Sequence, residues 1–138
     1  MNKHAVRPPS RWRDERGSAT AELVIATPLL LLLILGIIQF ALWEHATHVA
    51  QAVAEQGLAA GRVQGGSGQA ATAEAQSILA QIGSGVLTQP GVSATRGART
   101  TTVVVTGQAE AILPFVSLPV RSVATGPSER YTTAAPGP

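Results

Sequence analysis

"RGSATAELVIATPLLLLLILGIIQF", residues 16–40, decides how this chain is to be read. From Leu23 to Trp43 the only polar residues are Thr27 and Gln39. A helix needs about 20 apolar residues to cross about 30 Å of hydrocarbon, at about 1.5 Å per residue. A helix lying on a soluble core would show a polar face, and residues 29–38 have none. The stretch is therefore expected to span a membrane, from about residue 23 to about residue 43. Pro28, early in the run, is expected to bend the helix, which neighbouring helices tolerate in lipid. Trp43 is placed to anchor at the far interface.

The flanks orient the span. Lys3, Arg7, Arg11, Arg13 and Arg16 precede Gly17 against only Asp14 and Glu15, a local charge of +3. The remainder carries five cations and six acids, a charge of −1. The positive-inside bias puts residues 1–17 in the cytoplasm as a basic leader, and everything beyond about residue 44 outside. The high isoelectric point thus comes mainly from the leader and does not indicate a nucleic-acid partner, since no basic face follows downstream. A secretory signal is the competing interpretation, with "AQA" at residues 50–52 as its cleavage pattern. The apolar stretch is too long for that, and the pattern lies beyond Trp43 inside a helical repeat.

Hydrophobic residues make up 45% of the 138 and charged residues 13%, a balance too greasy for disorder and short of charge for a soluble domain. Cysteine is absent, which excludes disulfides and thiolate metal sites. Glu44, His45 and His48 cluster at helical spacing, but no further ligand is evident to close a metal site. No phosphate-binding glycine loop, Ser/His/Asp set or carboxylate pair is apparent. No metal, cofactor, small-molecule substrate or catalytic role is expected; the chain is more plausibly an enzyme's substrate than an enzyme.

An acid at the mouth of a span is a functional hypothesis by default. Here Glu22 follows a basic leader, Gly17 and the small residues Ser18, Ala19, Thr20 and Ala21. This pattern resembles the class III signal of type IV pilins and pseudopilins. In that class a membrane prepilin peptidase cuts after the glycine, on the cytoplasmic side, leaving the glutamate fifth in the mature chain. More closely, the block resembles the TadE-like family, minor pilins or pseudopilins of tight-adherence (Tad/Flp) pilus systems. Arg16, Gly17, Ser18, Glu22, Pro28, the leucine run, Gly36 and Phe40 carry the resemblance, which extends to about Leu58.

The resemblance implies cleavage between Gly17 and Ser18 and a structural role in pilus assembly and surface adhesion. It implies as partners the bilayer, the prepilin peptidase, other Tad pilins or pseudopilins and an inner-membrane platform. Leu23, Pro28, Gly36, Phe40 and Trp43 would lie in the span. Cleavage would leave a cationic amine on Ser18, and Glu22, one helical turn onward, would neutralise it in its own or a neighbouring subunit. Such a desolvated pair sets register more than it stabilises. The alternative is an uncleaved single-pass protein whose external domain binds a partner or scaffolds a secretion machine.

Beyond the span, Ala46, Val49, Ala50, Val53, Gly57 and Ala60 recur at helical spacing. One helix is expected over about residues 18–63, its outer part an amphipathic stalk, with "GLAAG" at 57–61 offering a face for close helix approach. "GGSGQ" (65–69) ends it, and "ATAEAQSILAQI" (71–82) reads as a short second helix stopped by "GSG" (83–85). After "QPG" (89–91) the chain turns Val- and Thr-rich. "GVSAT", "TTTVVVTGQAEAIL" and "VRSVAT" are expected as strands, with a turn at residues 96–99 and a loop holding Phe115 and Val116. Residues 64–131 thus make a small external region, and 132–138 a frayed tail. The expected class is α+β: a long helix, a short helix and a small antiparallel sheet packed on the outer part of the long helix.

Overall fold

The computed structural model describes residues 12–130, with side chains from residue 17 onward. The order is α1 (Trp12–Arg62), α2 (Gly68–Ile82), β1 (Leu87–Arg96), β2 (Thr100–Ala109) and β3 (Pro119–Pro127). This is the α+β arrangement expected. The leader residues 1–11 and the tail from residue 131 lie outside the described residues. α1 starts at Trp12, ahead of the expected residue 18. Nothing in "WRDER" opposes a helix, since it holds no proline, glycine or β-branched residue. The chain divides into two compact units after Ile37.

The first unit is the apolar part of α1. Leu23, Val24, Ile25, Leu29, Leu30, Leu31, Leu32 and Leu33 are all more than half exposed. A helix greasy on every side and uncovered needs a non-aqueous surrounding. Over its most apolar stretch the mean hydropathy is 2.6, long and apolar enough to cross a membrane. Pro28 sits inside this helix and has no N–H to give the Val24 carbonyl. The neighbouring Thr27 Oγ1 donates to the Leu23 carbonyl at 2.7 Å.

The second unit starts at Ile38 and builds its core around the C-terminal part of α1. Ala46, Val49, Ala50, Val53 and Ala54 are buried along one stripe, while Gln51, Glu55 and Gln56 face solvent. The segment expected as a stalk therefore carries the core of the folded unit. Across from it lie Ala71 and Ala75 of α2, and Leu87, Val103, Val105, Ala109, Val120 and Ala124 of the sheet. "AQA" at 50–52 is part of this packed helix, with Ala50 fully buried.

Small residues let the two helices close up. A β-carbon on Gly57 would stand 2.9 Å from both the Ala71 carbonyl oxygen and the Ala75 Cβ. One on Gly61 would stand 2.7 Å from the Ala71 Cβ. The "GLAAG" face is thus filled by α2 of the same chain. Ser67 caps α2, its side chain accepting from the Ala70 amide at 3.0 Å, a cap worth about 1 kcal/mol. At the end of α1 the Arg96 guanidinium donates to the Gly61 carbonyl and, at 3.2 Å, to the Glu129 carbonyl. It satisfies a terminal helix carbonyl where a cation is also favoured by the helix dipole.

The sheet has the order β1-β2-β3, antiparallel throughout. Alternation in β2 turns Thr101, Val103 and Val105 to the core and leaves Thr102, Val104 and Thr106 on the other face. Thr101 is fully buried, its hydroxyl 2.9 Å from that of Ser128. β1 begins at Leu87, four residues before the expected Gly91. Pro90 does not prevent this because the ladder shifts between Thr88 and Gly91, with Gln89 at φ 49°. A proline is accommodated at such a bulge on an edge strand.

Candidate assembly and membrane site

The residues singled out from sequence fall into two groups. Gly17, Ser18, Glu22, Leu23, Pro28 and Gly36 all lie on α1 within the first unit. Ser18 and Glu22 stand four residues apart, so helical geometry puts them on one face, a turn from each other. Glu22 is exposed.

The glycines of α1 separate cleanly. A β-carbon at Gly57 or Gly61 would collide with α2, whereas at Gly17 or Gly36 it would meet nothing within 4 Å. Glycine inside a helix costs about 1 kcal/mol relative to alanine. At Gly57 and Gly61 close packing within the chain offsets that cost. At Gly17 and Gly36 no contact among the described residues requires the missing side chain.

Phe40 and Trp43 belong to the second unit. Their rings lie 5.8 Å apart at 45°, and Trp43 Nε1 donates to the Pro119 carbonyl at 3.2 Å. His48 Nε2 lies 3.1 Å from Glu44 Oε1, an exposed pair one turn apart. His45 does not join them in a cluster; among the described residues no three His, Asp or Glu side chains come together.

Gln39 is the residue whose part the sequence did not announce. It is 3% exposed. Its Oε1 accepts from the Ile112 amide at 2.8 Å and from the Leu113 amide at 3.3 Å, and its Nε2 donates to the Glu110 carbonyl at 3.1 Å. The carboxamide thus serves three backbone groups of the β2–β3 loop, which would otherwise be short of partners. A lone polar residue beside Phe40 and Trp43 in a greasy run was the available signal, and it indicates a specific partner without saying which.

The loop so held is unusual. Between Glu110 and Pro119 its only polar residue is Ser117. The Val116 amide bonds the Leu113 carbonyl at 3.4 Å, with Pro114 second in the turn and Phe115 third at φ 69°. That is the signature of a type II turn, whose third position favours glycine. A side chain in this left-handed region costs about 1–2 kcal/mol. Phe115 is fully exposed and Ile112 half exposed.

No curated protein and no solved structure matches the chain. One family model does, over less than half of the chain. It starts at Gly17, takes in Glu22, the exposed apolar helix and Gln39, and stops one residue after Gly57. Residues 17–58 match the family described as TadE-like protein.

Proposed function

We propose that the protein is a pseudopilin or minor pilin of a Tad (Flp) type pilus system, a non-enzymatic membrane component of pilus assembly and surface adhesion. The observation that carries this is the coincidence of two features in one segment. The TadE-like match covers residues 17–58, and within that segment the helix from Leu23 to Ile34 leaves its large apolar residues exposed behind Glu22. Such a helix suits storage in a bilayer followed by packing against like helices.

In this proposal the N-terminus is cytoplasmic and the second unit extracytoplasmic. A prepilin peptidase removes residues 1–17, and the freed Ser18 amine is neutralised by Glu22 of its own or a neighbouring chain. A β-carbon at Gly17 would meet no described atom within 4 Å beyond its own helix backbone, which supports an enzyme's close approach there. Partners are the bilayer, the peptidase, other Tad pilins or pseudopilins and the inner-membrane platform. A second reading, an uncleaved single-pass membrane scaffold, is favoured by one observation: α1 begins at Trp12, so the bond between Gly17 and Ser18 lies inside a helix. Peptidases act on extended backbone, and cleavage would require this turn to unwind.

Intact-mass measurement of the membrane-extracted protein, from cells with an active prepilin peptidase, separates the two. A chain starting at Ser18 is expected. A mass that still includes the leader overturns processing and favours the scaffold.

A further inference from the structure

We infer that the β2–β3 loop, residues 110–118, is a second membrane contact, with Ile112 and Phe115 set into the lipid interface beside the point where α1 leaves the bilayer. The inference rests on the proposal that α1 spans a membrane, and adds a lipid-binding surface on the folded unit.

Three observations combine. The first is placement. The backbone of residues 110–113 is hydrogen-bonded to the Gln39 side chain, and Gln39 directly follows Ile37 and Ile38, where the uninterrupted apolar run ends. The loop is thereby held at the level of α1 where hydrocarbon must give way to the interface. Composition alone would carry the span on to Trp43. That would draw the loop's peptide groups and the exposed Glu110 into hydrocarbon, where an ionised carboxylate is strongly disfavoured. An interface near Gln39 avoids this, and residues 19–38 still supply about 20 residues for the crossing, with Glu22 in its first turn at the opposite interface, where an acid is favoured by the helix dipole.

The second observation is chemistry. Surface loops are normally polar, yet this one is apolar apart from Ser117 between its bounding residues. Gln39, which holds it, is followed in the chain by Phe40, 62% exposed and paired with Trp43, whose indole N–H is bonded to Pro119 just past the loop. Exposed apolar side chains beside an aromatic with a polar edge are the composition of a membrane interface belt. The third is conformation. The turn holds a phenylalanine where glycine fits best, and its ring touches no core. The fold keeps that ring outward at a local conformational cost, which a lipid contact explains and packing within the chain does not.

The chain has no cysteine, so single-cysteine spin labelling needs no prior background removal. The test uses the full chain in vesicles of phosphatidylethanolamine and phosphatidylglycerol, labelled one site at a time at Phe115→Cys, Ile112→Cys, Leu31→Cys or Thr95→Cys. Collision with oxygen reports lipid, and collision with a water-soluble nickel chelate reports water. Labels at 112 and 115 are expected to shift toward the oxygen-favouring ratio of 31 and away from that of 95. Labels at 112 and 115 that match 95, while 31 favours oxygen, overturn the loop contact and leave the span intact. A label at 31 that matches 95 removes the membrane reading itself, and this inference with it. An immobile label at 115 shielded from both reagents assigns the patch to a protein partner and overturns the lipid assignment.

Discussion

The Gln39 carboxamide oxygen accepts the Ile112 amide at 2.8 Å across 73 residues of sequence. A residue that reads as an isolated polar flaw in a greasy helix is thus turned inward, to the backbone of its own chain. Within the second unit, the contact ties the first turn of its share of α1 to the β2–β3 loop.

Gln39→Leu keeps the volume and apolar character but leaves the amides of Ile112 and Leu113 without that acceptor. Losing one partner of a buried hydrogen bond costs about 1–3 kcal/mol. The expected outcome is a less stable second unit with a loop cut faster by protease at residues 110–118. Limited proteolysis of the full chain in detergent, with the cut sites read by mass, checks it. Unchanged cutting would show that the loop is held by other contacts.

Gly57→Ala and Gly36→Ala are expected to part company. At 57 the added carbon meets the Ala71 carbonyl oxygen and Ala75 Cβ at 2.9 Å, so α2 must move; overpacking of this kind costs about 1–3 kcal/mol. At 36 the carbon meets nothing, and alanine is the better helix former. Thermal unfolding in detergent should fall for the first and hold for the second. Loss of pilus assembly by Gly36→Ala with stability kept would mean that another helix approaches closely there.

Phe115→Gly should raise the stability of the folded unit by about 1 kcal/mol, because glycine adopts the positive φ without a clash. The same change removes the exposed ring, so lipid contact should weaken as stability rises. Chemical unfolding in detergent measures the first effect. A variant that loses stability would mean that the ring packs against something within the fold.

Glu22→Gln keeps size and hydrogen bonding but removes the charge. If Glu22 neutralises the Ser18 amine among packed helices, membrane insertion and cleavage should survive while recovery with sheared pili falls by orders of magnitude. Co-purification with pili, normalised to the membrane level, is the measurement. Equal recovery of variant and wild type would return Glu22 to an ordinary acid at the start of a helix.

Much of the architecture follows from local pattern. The unbroken apolar run and the stripe Ala46, Val49, Ala50, Val53 specify one long helix, because side chains three and four apart share a face. The alternation of Thr101, Val103 and Val105 with Thr102, Val104 and Thr106 specifies a strand buried on one side. "GGSG" and Gly83 mark the helix ends, since glycine frees the backbone and exposes it to solvent. The proposal for Glu22 behind Gly17 also starts from local sequence, through the resemblance of that block to pilin signals. Tertiary structure alone decided the roles of Gln39, Gly57 and Pro90. Gln39 is satisfied by a backbone carbonyl and backbone amides more than 70 residues away, and no local pattern encodes a partner at that distance. Gly57 and Gly36 are both single glycines inside α1, and nothing local to Gly57 announces that Ala71 and Ala75 of α2 crowd it. Pro90 would end a central strand, but here it stands in a bulge on an edge, where its missing N–H breaks no required bond.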